Sequence, residues 1–176
     1  MKKLTLFFVV LVCSMVVQAS ALNYFTFSLT GAQESPVNGS PAAGGGVAVF
    51  DPLTDTITVN AFFVGLSAPA TASHIHLGAL GVPGPVIVSL VSYTPAATAG
   101  SIVSGTLAFP VANVGDLLAG NSYLNIHDSI YPGGEIRGQL IPTVVPEPAT
   151  FAMLGLGLIA LGRFASRNSA KSVWQE

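Results

Sequence analysis

Two of the three histidines in this 176-residue chain, His74 and His76, stand one residue apart in Ser73-His74-Ile75-His76-Leu77-Gly78. On a β-strand successive side chains point to opposite faces, so both imidazoles share one face, about 6.6 Å apart at roughly 3.3 Å per residue. Ile75 and Leu77 take the other face. The third histidine lies in a second strand-like run, Tyr123-Leu124-Asn125-Ile126-His127, where Tyr123, Asn125 and His127 oppose Leu124 and Ile126. Two chemistries fit. Three neutral imidazoles can hold Zn or Cu with nitrogens at about 2.0–2.1 Å, provided the strands are adjacent and the rings converge. Asp128, Glu135 or Glu34 could add an oxygen. The other chemistry is a hydrogen-bonded polar face shared with Asn125 and Arg137. His74, His76 and His127 are therefore the candidate metal ligands.

Other reactive groups are sparse. Glu135 and Arg137 share a strand face and suit an ion pair. Asp128 and Glu135 could be set up as an acid/base pair for glycoside hydrolysis, but a Gly/Pro turn separates them and nothing marks a cleft. The sequence contains no nucleophile elbow and no phosphate loop, and no catalytic residue is assigned. The sole cysteine, Cys13, sits in an N-terminal apolar run, so an exported form would have neither disulfide nor thiol chemistry. Between residues 22 and 145 the one cation is Arg137, against Glu34, Asp51, Asp55, Asp116, Asp128 and Glu135. Nothing basic is available to neutralise phosphates, which argues against nucleic acid as a partner.

The elements that must position these residues are strands. Tyr24 to Thr30 alternates, and Gly31 to about Gly46 reads as a loop. Gly46–Phe50 and Thr56–Val64 flank the turn Asp51-Pro52-Leu53-Thr54-Asp55 and suggest a hairpin, with Ile57, Val59, Ala61 and Phe63 facing in. The His-Ile-His strand, Val86–Val91, Ser101–Phe109, Tyr123–His127 and Glu135–Leu140 follow. Val111–Ala119 is the one helix candidate, with Gly120 placed to end it. About eight short strands separated by turn signals predict an all-β domain, an antiparallel β-sandwich or barrel.

The two ends read as addresses. Met1-Lys2-Lys3, the apolar run Leu4–Val17 and the small residues Ala19 and Ala21 form a secretory signal peptide over 1–21, forming a signal helix cut after Ala21. At the other end come Pro146-Glu147-Pro148, an apolar run over about 149–165 and the basic residues Arg163, Arg167 and Lys171. The run is at the short limit for a transmembrane helix, and its basic end should stay cytoplasmic, with 168–176 as a cytoplasmic tail. The middle, 22–145, is then the folded domain, outside the cytoplasmic membrane.

The tripartite tail resembles the PEP-CTERM sorting signal of Gram-negative bacteria over 146–167, with Pro146, Glu147, Pro148 and Arg163 as its motif. That likeness implies processing by signal peptidase and an exosortase, and delivery to the cell surface or extracellular matrix. In the middle, Gly31-Ala32-Gln33-Glu34, Ser73-His74-Ile75-His76 with Gly84-Pro85-Val86, Leu118 through His127, and Pro132-Gly133-Gly134-Glu135-Ile136-Arg137-Gly138-Gln139-Leu140 together resemble the CHRD domain. The resemblance covers about residues 23–141 and implies an extracellular β-rich domain. A looser likeness, to the sandwich of Cu/Zn superoxide dismutase with its His-x-His strand, lacks that family's other ligand histidines and its cysteine pair. The expected protein is an exported, non-enzymatic surface or matrix protein whose domain contacts exopolysaccharide or surface proteins. The alternative is a Zn- or Cu-binding domain built on the three histidines.

Overall fold

The computed structural model describes residues 21–90, 97–143 and 155–163. Nine strands follow in chain order: β1 (Asn23–Thr30), β2 (Ala43–Asp51), β3 (Thr56–Val64), β4 (Ala70–Leu77), β5 (Val86–Ser89), β6 (Gly100–Ala108), β7 (Ser122–Asp128), β8 (Ile136–Gln139) and β9 (Ile141–Thr143). One 3-10 turn, Val111–Asn113, leads into a short helix, α1 (Val114–Leu118), and Gly120 beyond it takes a positive φ of 76°. The strands form a nearly closed antiparallel sheet in the order β5-β4-β7-β8-β1-β2-β3-β6, with β9 added beside β1. The predicted all-β sandwich or barrel is thus the observed fold.

The β2–β3 hairpin forms as its sequence predicts. Asp51 pairs with Thr56 across the turn, the Asp51 carboxylate accepts the Leu53 N–H at 2.8 Å, and Asp55 takes the left-handed conformation that Asp tolerates. Ile57, Val59, Ala61 and Phe63 are buried while Asn60 and Phe62 are exposed. β2 begins earlier than its composition suggests, at Ala43 rather than Gly46, because Gly44, Gly45 and Gly46 pair with both β1 and β3. There the gain in ladder hydrogen bonds on both edges outweighs the poor strand propensity of glycine.

Two four-stranded halves share one core. Phe25, Leu29, Phe50, Ile57 and Phe63 from β1, β2 and β3 join Ile75, Leu124, Ile126 and Ile136 from β4, β7 and β8, all of them fully buried. Each such side chain contributes about 1.5–3 kcal/mol relative to exposure. The halves meet along a narrow seam, where β1 and β8 pair through Thr30 and Arg137. Gln33 extends that seam with its side chain. Its amide nitrogen donates to Ser28 O at 2.7 Å, and its Oε1 accepts the Gln139 N–H at 3.2 Å. A side chain here does the work of a missing backbone pair, which gives the Gly31-Ala32-Gln33 turn a structural role.

Residues 1–143 and 144–176 form separate compact units. In the second, the described residues 155–163 are helical. No helix among the described residues is long and apolar enough to cross a membrane. The predicted signal peptide up to residue 20, including Ala19, the motif Pro146-Glu147-Pro148, the tail 168–176 and most of the expected span 149–165 lie outside the described residues. Ala21 lies just inside them, in exposed chain before β1.

Candidate metal centre

β4 and β7 are direct neighbours, and their register sets the site. His74 lies opposite Asn125, His76 opposite Tyr123, and Ala72 opposite His127. β8 continues the rows, with Arg137 beside Asn125 and Gln139 beside Tyr123. All these polar side chains lie on the face away from the apolar core, as the period of two requires. Yet Tyr123, Asn125, His127, Arg137 and Gln139 are buried. The connections 31–40, 78–85 and 129–135 lie over this face and convert it into a second, polar interior. That burial was not legible in the alternation, which ordinarily marks polar residues as solvated.

The three imidazoles converge. Ring centroids are 4.9 Å apart for His74 and His127, and 5.7 Å for the two pairs involving His76. One ring nitrogen from each can be chosen so that all three lie within 4.8 Å of one another. His74 Nδ1 and His127 Nε2 are already 3.1 Å apart, close to the ~3.3 Å between two nitrogens on one tetrahedral zinc at the usual bond length.

Backbone carbonyls orient two of the rings. His76 Nδ1–H donates to Gly84 O at 2.9 Å, and His127 Nδ1–H donates to Pro132 O at 3.1 Å. A carbonyl can only accept, so both neutral rings carry their lone pair on Nε2. His127 Nε2 accepts from His74 Nδ1–H. His76 Nε2 is buried without a partner. This is the arrangement by which metal-ligating histidines are held, with the far nitrogen tied to an oxygen and the near one aimed inward. Burial pushes the His127 imidazole down to about 4, with His74 and His76 adding to the effect against the Pro132 bond. Burial also lowers His74, with help from His76, and lowers His76, with help from Arg137 and against the Gly84 bond. All three rings are therefore neutral at neutral pH, the form that ligates.

A clamp holds the connection that carries Gly84. Arg137 donates to Val82 O at 3.0 Å and to Ala79 O at 2.7 Å, and its guanidinium carbon sits 3.4 Å from the centre of the Tyr123 ring. Gln139 donates to Gly78 O at 2.8 Å and to Gly120 O at 2.7 Å, while Tyr123 Oη accepts the Gly84 N–H at 3.1 Å. The His76 ring stacks on Tyr123 at 4.9 Å and 11°. Gly84 approaches so closely that a Cβ there would overlap the Leu77 carbonyl oxygen. Of this clamp, the sequence pointed to Arg137 and Tyr123; Gln139 was missed, and its signal was its alternation with Arg137.

The carboxylates go elsewhere. Glu135 does not pair with Arg137. It accepts Ser40 Oγ–H at 2.6 Å, Ser67 Oγ–H at 2.7 Å and Ser67 N–H at 2.9 Å. Arg137 turns instead to the loop carbonyls because its side chain lies under 78–85. Asp128 accepts the backbone N–H groups of Ala68, Ile130 and Tyr131. Both carboxylates thus close loops, and they also meet each other across the 129–134 turn, where, against the opposing effect of burial, the Glu135 side chain helps to hold the Asp128 carboxyl below its ordinary range. Glu34 lies by Arg137 and Asn125, and burial raises its carboxyl to about 7.

Fold and site together define a small antiparallel β-sandwich with a loop-covered histidine face. A family model of the CHRD domain matches residues 25–140, and the chain belongs to that family. A second model, the PEP-CTERM protein-sorting motif, matches residues 144–168. It marks the chain as exported and surface-sorted through an exosortase. Searches of curated proteins and of solved structures found no match.

Proposed function

We propose that the domain is an extracytoplasmic binding module for a first-row divalent metal, Zn or Cu, delivered to the cell surface by its C-terminal signal. The convergence of His74, His76 and His127 carries this reading. A hydrogen-bonded polar face needs no ring nitrogen left bare, whereas His76 Nε2 is buried without a partner in a cluster where one nitrogen from each ring lies within 4.8 Å of the others. Bound metal would satisfy that nitrogen and would displace the His74–His127 hydrogen bond. His74 would then carry its proton on Nε2.

Elemental analysis of the purified protein, and its melting with and without added Zn(II) or Cu(II), tests the reading. One ion per chain and a rise in Tm that depends on His127 are expected; ligand binding to the folded form alone stabilises by RT ln(1 + [L]/Kd). No uptake and no shift would refute it. On the export side, the reading takes Ala19 and Ala21 as the signal-peptidase site, 149–165 as a transient anchor, and Pro146-Glu147-Pro148 with Arg163 as the exosortase signal. Deleting the tripeptide should leave the chain in the membrane fraction; unchanged release would contradict the assignment.

A further inference from the structure

The geometry points to an open centre: resting on the metal reading above, we propose that the loaded site takes a small exogenous anion as its fourth ligand, on the His74 side. Three observations carry this. First, the enclosure is uneven. His76 and His127 are each 8% exposed, whereas His74 is only half-buried. His74 faces β5, where its cross-strand partner is the exposed Ser89. The cluster therefore reaches solvent at one rim, between His74 and Ser89.

Second, the ion would meet neutral ligands. Asp128 is held by Ala68, Ile130 and Tyr131, Glu135 by Ser40 and Ser67, and Glu34 lies toward Arg137 and Asn125 at the far end of the row from His74. Three imidazoles leave the whole +2 charge uncompensated. Third, the buried Arg137 guanidinium lies against the Tyr123 ring on which His76 stacks, which keeps a positive charge on the inner side of the site. An anion entering at the rim would meet the charge of the ion directly, with Arg137 behind the site at the far end of the row. Three protein ligands with a vacant position is the pattern of metal sites that exchange ligands, as opposed to closed structural sites.

The test loads the full chain with Cu(II) and titrates azide as the probe. Saturable binding, read as a new azide-to-copper charge-transfer band, is expected. Ser89→His provides the second arm. Residues directly opposite on antiparallel strands have Cβ atoms about 4.5–5.5 Å apart, so a histidine at this exposed position can reach the fourth site without disturbing the core. It should leave Cu(II) uptake intact or tighter and weaken azide at least tenfold. Copper bound without any azide response would overturn the proposal while leaving the metal reading standing. Azide affinity unchanged in Ser89→His would overturn the placement of the open position. Absence of copper uptake would sink both.

Discussion

One continuous sheet presents two unlike outer faces. On β1, β2, β3 and β6 the row Thr26, Val47, Asn60, Val103 is exposed from end to end. On β5, β4, β7 and β8 the equivalent row, Ser89, His74, Asn125, Arg137, passes from exposed to 1% accessible. None of the four side chains in that open row is charged, and none is buried. The covered face carries histidines, an arginine and amides that must be satisfied inside the protein. The buried polar atoms without a partner, including His76 Nε2, Asn125 Oδ1, Arg137 Nε and Glu34 Oε1, belong to this covered half and the loops over it. Such an interior is costlier to build than a solvated face, and this contrast is what supports placing the proposed site on the covered half.

The largest way to test that contrast is Arg137→Met. It keeps most of the volume but strips donors from Ala79 O, Val82 O and Gln139 Oε1. Leaving these buried acceptors unpaired costs about 1–3 kcal/mol each where water cannot reach them, measurable by urea unfolding. Metal affinity should fall in parallel by about 10–100-fold, because the Gly84 carbonyl that orients His76 is no longer clamped. A loss below ~1 kcal/mol would mean the connection 78–85 holds itself.

His127→Ala separates the site from the scaffold. The imidazole spans His74 and the Pro132 carbonyl, so metal affinity should drop at least ~100-fold, about 2.8 kcal/mol at 1.4 kcal/mol per decade. Metal-free stability should change by only ~1 kcal/mol, as for the loss of one hydrogen-bonding side chain. Calorimetric titration beside a melting curve reads both. Equal losses in the two would make His127 a structural residue.

Much of this was legible in the residues. The period of two placed His74 with His76, and Tyr123 with Asn125 and His127, because strand geometry allows no other arrangement for side chains so spaced. The 51–55 turn fixed the β2–β3 hairpin by local chemistry alone. Strand adjacency was not legible: that β4 pairs β7 rather than a sequence neighbour on both sides is a property of topology. Nor was the cover over the face. Gly78 to Pro85 reads as a loop in sequence, and nothing local says that it folds back over Tyr123. The Glu135–Arg137 pair failed for the same reason, since two residues on one strand face meet only if no nearer partner reaches them. Loop carbonyls and two serines did.

Glu34 offers a pH-dependent comparison. Its carboxyl is raised to about 7 by burial, from 4.5, with Arg137 and Asn125 opposing the shift. The unfolded chain releases this proton first, so the group favours folding least at high pH. Its cost is absent below about 4.5, grows through the interval and is complete above 7. Glu34→Gln mimics the protonated acid. It should leave stability unchanged near the lower limit and raise it by on the order of 1 kcal/mol above the upper one, given partial solvent screening. Chemical denaturation at a series of pH values checks the slope; a parallel offset between the two proteins would mean Glu34 does not titrate in this range.

The smallest effect belongs to the open face. Val103 is 59% exposed on β6, with Asn60 as its neighbour across the ladder. Val103→Thr keeps the β-branched shape and exchanges one methyl for a hydroxyl that water can satisfy. Stability should stay within about ±0.5 kcal/mol, as for surface substitutions away from special features, and metal uptake should be untouched. The comparison is sharpest against the covered half, where substitutions disturb fixed hydrogen bonds instead of solvent. If Val103→Thr cost as much as His127→Ala, the two faces would be equally constrained, and the uneven cover over the sheet would no longer point to the histidine side as the working one.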